Sequence, residues 1–275
     1  MRLTKFFFVL IVIALSCIAP TQASAVADKD KKEKPREGQS IDAGSFGVFM
    51  SGHRVGTEKF SIDQANTGSM IKSEFKTEND PNLAVQDSVL ELTAGGDIRR
   101  YEWKEVSPGK AQSEILPNNE FLNQKWTAGP GEKEHEQPYL LPPSTNILDD
   151  YFFIHREVLV WRFLGATCKQ EKGQTPQCPI KQRTQFGSLN PRQHASSPLS
   201  AEYLGREKII YKGNQQEFNK VELNMETGRW YLWLDDQLKV MRIFIEADNT
   251  EVCAIRNTGE IVATKARRSH SARAL

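Results

Sequence analysis

The sequence predicts a mainly β protein: a curved antiparallel meander, or incomplete barrel, with one long helix packed on its concave face. Three observations carry that expectation. Apolar residues alternate over strand-length runs separated by turns rich in Gly, Asn and Asp. A single segment shows helical periodicity. The crossover helices that parallel strands would need are missing from the pattern.

In chain order, 46–50 and 54–62 read as strands broken at Ser51-Gly52, and 70–77 follows the turn Asn66-Thr67-Gly68. Residues 85–93 and 98–106 flank Ala94-Gly95-Gly96-Asp97, whose glycines suit the left-handed conformations of a hairpin turn. Residues 203–211 and 218–225 flank Lys212-Gly213-Asn214 in the same way. Then 230–234 and 238–246 flank Asp235-Asp236-Gln237, and 252–256 closes the series. The helix is expected over Asn146–Leu164: Asn146 suits a cap, Asp149 and Asp150 suit the positive end of the dipole, and Gly165 suits the C′ position. At about 100° per residue, Asn146, Asp149, Asp150, Arg156 and Glu157 share a narrow polar wedge, while His155 and Arg162 fall inside a wide apolar arc.

The N-terminus predicts export. Arg2 and Lys5 precede the apolar run Phe6–Leu15, and Ala23-Ser24-Ala25 offers a cleavage site, so 1–25 reads as a signal peptide with no transmembrane span after cleavage. The periplasm or cell envelope is the expected compartment. An uncleaved anchor, or lipidation at Cys17 after Ala14-Leu15-Ser16, are the alternatives. A charged tether over 26–43 leads to a single domain over 44–262, with a loop insertion at about 166–200 and a basic tail over 263–275. In an oxidising compartment Cys168 and Cys178 read as a disulfide closing a polar loop, against metal binding, for which the spacing and the lack of a nearby histidine are unsuitable. Cys253 reads as a buried free thiol.

Thirty-six Lys and Arg against 35 Asp and Glu leave a formal charge of +1, so no global field favours nucleic acid. Nucleophile elbow, zinc-protease, phosphate-loop and dinucleotide motifs are missing, and the five histidines (53, 135, 155, 194 and 270) show no ligand spacing. The expectation is therefore no cofactor, no metal and no catalytic residue. His155 and Arg162 form the sharpest chemical feature. An arginine keeps its charge, so on a buried face it needs a carboxylate, carbonyls or an anionic ligand. Glu58, which alternation places on one face with Phe60 and Ile62, is a candidate partner. The pair reads as a head-group site, as a core salt bridge, or as an arginine reaching water along its stem. Trp230, Leu232 and Leu234 share one face of their strand, and Tyr231 and Trp233 the other, so both faces need cover. The candidate ligand-binding residues are Glu58, Phe60, His155, Arg162, Trp230 and Trp233.

Three stretches together carry a resemblance: Gly52-His53-Arg54-Val55-Gly56-Thr57-Glu58-Lys59-Phe60, Leu148-Asp149-Asp150-Tyr151-Phe152-Phe153-Ile154-His155, and Trp230-Tyr231-Leu232-Trp233-Leu234-Asp235. They resemble exported bacterial proteins of unknown function, themselves distantly similar to the lipoprotein-carrier (LolA/LolB-like) half-barrels. That resemblance implies a curved sheet plugged by helix with room for acyl chains. The leading expectation is binding of a lipid or other apolar ligand in the envelope, with His155, Arg162 or Glu58 addressing a polar head. The alternatives are a scaffold or protein-interaction module with an envelope protein as partner, and an enzyme in which two or more of Glu58, His155, Asp149 and Asp236 converge.

Overall fold

A computed structural model describes residues 38–78, 83–169 and 177–255, all within the unit Glu37–Leu275. The signal peptide, the basic tail and most of the tether expected from the sequence lie outside them. Residues 39–43, expected in the tether, belong to the first strand.

The alternating runs become strands of one fifteen-stranded sheet. Its first half comprises β1 (Gln39–Met50), β2 (His53–Ala65), β3 (Gly68–Thr77), β4 (Val85–Thr93), β5 (Ile98–Ser107), β6 (Gln112–Asn118), β7 (Phe121–Thr127) and β8 (His135–Tyr139). The second half comprises β9 (Asn146–Ile147), then the helix α1 (Ile154–Thr167), β10 (Arg183–Asn190), β11 (Ala195–Tyr211), β12 (Asn214–Met225), β13 (Gly228–Leu234), β14 (Val240–Ile245) and β15 (Thr250–Ile255). The spatial order is β8 through β1, then β15 down to β9. The chain thus begins in the middle of the sheet, walks out to one edge, restarts at the other edge and walks back to meet itself at β1–β15. Every neighbouring pair is antiparallel except β9–β10. The sheet is not closed into a barrel, since β8 and β9 remain its two edges.

Both wings of the sheet reach the helix. Tyr101 of β5 presents its ring edge to His155, with centroids 5.5 Å apart, while the backbone N–H of Val240 on β14 donates to Glu157 at 2.9 Å. The tip of the β10–β11 hairpin then meets the first wing, where Gln124 of β7 donates to the Pro191 carbonyl at 2.6 Å. The core fills the space between, with Phe46, Phe163, Val221, Leu232, Ile243 and Val252 all at 0 % exposure.

Several expectations are corrected here. The helix starts at Ile154, eight residues after Asn146, because Asn146-Ile147 instead pairs in parallel with Ser188-Leu189. It runs past Gly165 to Thr167 and ends where Cys168 turns extended. Arg156 and Glu157, which fall in the polar wedge, are buried at 2 % and 0 % exposure, because sheet covers the helix on more than one side. The span expected as a loop insertion at 166–200 holds β10 and the first part of β11. Strands β6 to β8 were not predicted at all. Their inward positions include Ser113 and Gln124, so the apolar alternation that marks a half-buried strand is weak there.

Candidate functional site

Construction of the site begins with the problem of starting a buried helix. The first N–H groups of a helix have no partner inside it, and burial removes water as a substitute. Phe153, the N-cap residue, makes no side-chain cap bond. The acceptor comes from β2 instead: the Phe153 and Ile154 N–H groups donate to the two carboxylate oxygens of Glu58, at 2.7 and 3.3 Å. Ser73 on β3 donates its hydroxyl to the same carboxylate at 2.7 Å. Burial pushes the Glu58 carboxyl up to about 7, against the opposing pull of Ser73, the two backbone N–H groups and Arg156.

Just upstream, Asp149 gathers three donors. The Tyr101 hydroxyl reaches Oδ2 at 2.7 Å, while Oδ1 accepts from the Tyr151 N–H at 2.9 Å and from Arg192 Nε at 2.7 Å. Arg156 donates through Nη1 to the Asp149 and Phe152 carbonyls, and its guanidinium lies 4.6 Å from the Trp230 ring centroid. The Arg192 guanidinium sits over the rings of Trp103 and Tyr151, at 4.0 and 4.5 Å. Two carboxylates and two arginines from β2, the α1 approach, α1 and the β10–β11 turn thus form one buried knot at the helix start. Charges removed from water must be matched in this way.

The knot underlies an open apolar cavity of about 760 Å³ at the seam where the wings join. Its walls include Val48, Val55, Phe75, Phe153, Trp230 and Ile245. Glu78, Asp150 and Asp248 stand among its polar lining residues. A smaller space of about 250 Å³ lies towards the other end of the helix, lined by Leu90, Ile98, His155, Trp161 and Arg162 among others.

The six sequence candidates are therefore dispersed. Trp230 lines the large cavity, and Glu58 lies behind it as the helix cap. Phe60 stacks on Phe46 in the core, with ring centroids 4.7 Å apart. His155 and Arg162 share the small space. Arg162 reaches along its stem to donate to the Ser144 carbonyl at 2.7 Å, so Glu58 is not its partner. His155 is buried, neither ring nitrogen hydrogen-bonds to any of the described residues, and burial first, then the charges of Arg156 and Arg192, push it down to about 3. Trp233 lies on the outer face in a separate cluster with Tyr211 and Phe218, and donates to Glu207 at 2.6 Å.

Sequence reasoning missed Arg156 and Arg192 as site residues. The available signal was a charged stretch, Asp149-Asp150 and Arg156-Glu157, set among five apolar or aromatic residues, Tyr151 to Ile154 and Val158.

An enzyme reading needs two or more of Glu58, His155, Asp149 and Asp236 within hydrogen-bond reach; Asp236 pairs with Arg206 at 2.8 Å on the exposed side, and among the described residues no hydrogen bond joins any two of the four. No cluster of three or more His, Cys, Asp or Glu suited to a metal occurs among the described residues. Cys168 and Cys178 form a disulfide with a Cα–Cα distance of 4.2 Å, tying the end of α1 to the approach to β10. Cys253 is free and half-buried rather than fully buried; its thiol donates to Glu251, and burial pushes it up to about 12. No helix among the described residues is long and apolar enough to cross a membrane.

No protein-family model matches the chain, and no curated protein matches it. Among solved structures, a crystal structure of a DUF1089 family protein from Pseudomonas aeruginosa is similar over 67 % of this chain and 87 % of its own, at 12 % identity and a TM-score of 0.38. That likeness is too slight to assign this chain a fold family or an activity.

Proposed function

We propose that this protein is exported to the cell envelope and binds an amphiphilic or apolar ligand, with the apolar body of the ligand in the seam cavity. The observation that carries the reading is the cavity itself. About 760 Å³ of open, largely apolar space lies within the range of small-molecule sites, and Trp230, Phe75 and Phe153 supply flat surface against which a chain or ring packs. The disulfide and the signal-like N-terminus support export, and the resemblance to lipoprotein-carrier half-barrels fits the same use of a curved sheet. His155 and Arg162 lie outside this cavity, so the role of addressing a polar head passes to its rim.

The test uses the protein exported from a Gram-negative host. Native mass spectrometry should show a lipid-sized adduct lost on denaturation, and the apolar dye N-phenyl-1-naphthylamine should brighten on binding and be displaced by a long-chain amphiphile. Ala247 is an exposed lining residue, so Ala247→Trp should fill the mouth and weaken dye binding at least ~10-fold while leaving the core intact. A clean mass, with dye binding equal in Ala247→Trp and the parent, would remove the ligand reading and leave the interaction module.

A further inference from the structure

We infer that the head group this cavity accepts is positively charged, an amine or quaternary ammonium, and that anionic amphiphiles are discriminated against. The inference rests on the ligand-binding reading above and specifies the chemistry of the same site.

Three carboxylates line the cavity, each from a different element: Glu78 at the end of β3, Asp150 ahead of α1, and Asp248 in the β14–β15 turn. Among the described residues no Lys, Arg or His lines it, and the remaining polar groups include the hydroxyls of Thr77, Thr227 and Thr250. The partners of these carboxylates decide how much charge is left. Glu78 is paired with Arg54, whose Nε lies 3.2 Å from it, so that charge is largely matched. Asp150 accepts from the amides of Asn190 and Gln193, at 2.7 and 3.1 Å, which are neutral donors. Asp248 accepts the N–H of Thr250 at 3.0 Å, also neutral. Asp150 and Asp248 are both exposed and form no ion pair among the described residues. Arg156 lies buried behind, and its charge is answered by Asp150 first, then by Asp149 and Glu58, so Asp150 shares in that balance while Asp248 does not. The cavity mouth is left with an excess of negative charge next to low-dielectric walls, where field is least screened.

Ring faces point the same way. An ammonium group is attracted to the face of an aromatic ring, most strongly that of tryptophan. Tyr151 and Trp230, both in the cavity lining, already hold guanidinium groups at 4.5 and 4.6 Å, so these rings accept cations in this fold. An anionic head would meet like charge from Asp150 and Asp248, with no lining cation among the described residues to offset it.

The experiment compares three amphiphiles with the same twelve-carbon chain, dodecyltrimethylammonium, monolaurin and laurate, below their micellar concentrations. Each displaces the dye from the full-length exported protein at neutral pH and low salt. The expected order is cation, neutral, anion, with at least ~10-fold between the first and last. The gap should narrow in about 0.5 M NaCl. It should also narrow in the double variant Asp150→Asn and Asp248→Asn. Equal binding of all three, or laurate binding tightest, overturns the charge preference and leaves the ligand-binding reading standing. Binding of none of the three overturns both. The salt titration needs no variant, so the preference is tested even if the double variant folds poorly.

Discussion

Two arginine–tryptophan pairs sit on opposite faces of the same sheet and differ mainly in their access to water. Inside, Arg156 lies 4.6 Å from Trp230 with 2 % of its surface exposed. Outside, Arg242 lies 4.9 Å from Trp233 and pairs with Glu251 at 2.7 Å, its side chain 25 % exposed. The inner pair belongs to a cluster in which Asp149 pairs with Arg192, Arg156 donates to the Asp149 and Phe152 carbonyls, and Glu58 accepts from the Phe153 and Ile154 N–H groups. The outer pair is one member of a surface row that includes Lys220 and Glu207, 3.0 Å apart. Chemically similar contacts thus do different work. In the interior each charge is tolerable only because its partner is present, whereas on the surface water replaces a lost partner.

The sharpest break in that comparison is Asp149→Ala. It removes the acceptor of Tyr101, Tyr151 N–H and Arg192 at once, leaving an uncompensated buried cation. The expected cost is about 3–5 kcal/mol, and the Tm should fall by on the order of 10 °C. A loss under ~1 kcal/mol in urea unfolding would mean the inner cluster behaves like a surface row.

The next test is pH. Glu58 is held at about 7, above its ordinary 4.5, so between these values the folded protein keeps a proton the unfolded chain has released, and stability falls as pH rises through that window. His155 is held at about 3, below its ordinary 6.5, so between these values the unfolded chain carries a proton the folded protein excludes, and stability rises with pH. The two slopes oppose each other where the windows overlap. Glu58→Gln should leave only the climb towards about 6.5, and His155→Phe only the decline towards about 7, each approaching ~1.4 kcal/mol per pH unit at its steepest. Urea midpoints read from about pH 4 to about 8 separate them; profiles parallel to the parent's would show that neither group titrates with folding.

The smallest effect is expected outside. Arg242→Ala should cost less than ~1 kcal/mol, and added salt should shrink even that. A cost comparable to that of Asp149→Ala would show that the outer row is as tightly coupled as the inner knot.

Legibility followed water. On β2, alternation places Glu58, Phe60 and Ile62 on one face, and all three point into the core. On β13 it separates Trp230 from Trp233, and the structure puts them on opposite faces of the sheet. Hairpin turns such as Ala94–Asp97 were readable because a tight turn demands particular backbone angles; Gly96, for example, has φ +85°. The start of the helix was not readable. Asn146 and the acidic pair looked like a local cap, while the acceptor in use, Glu58, lies 95 residues away from Phe153.

By itself the sequence determined the mainly β character, the one helix found among the described residues, most strand faces and the Cys168–Cys178 pairing partners, because period, turn chemistry and cysteine spacing are local properties. Only tertiary structure decided which charges are buried, where the helix begins, and that the cavity lies at the β1–β15 seam with Asp150 and Asp248 beside it. A helical wheel records the direction in which a side chain points and not how many sides are covered. Here sheet from both wings closes over the wedge that carries Arg156 and Glu157, and the free energy of a buried charge depends on partners that sequence distance does not reveal.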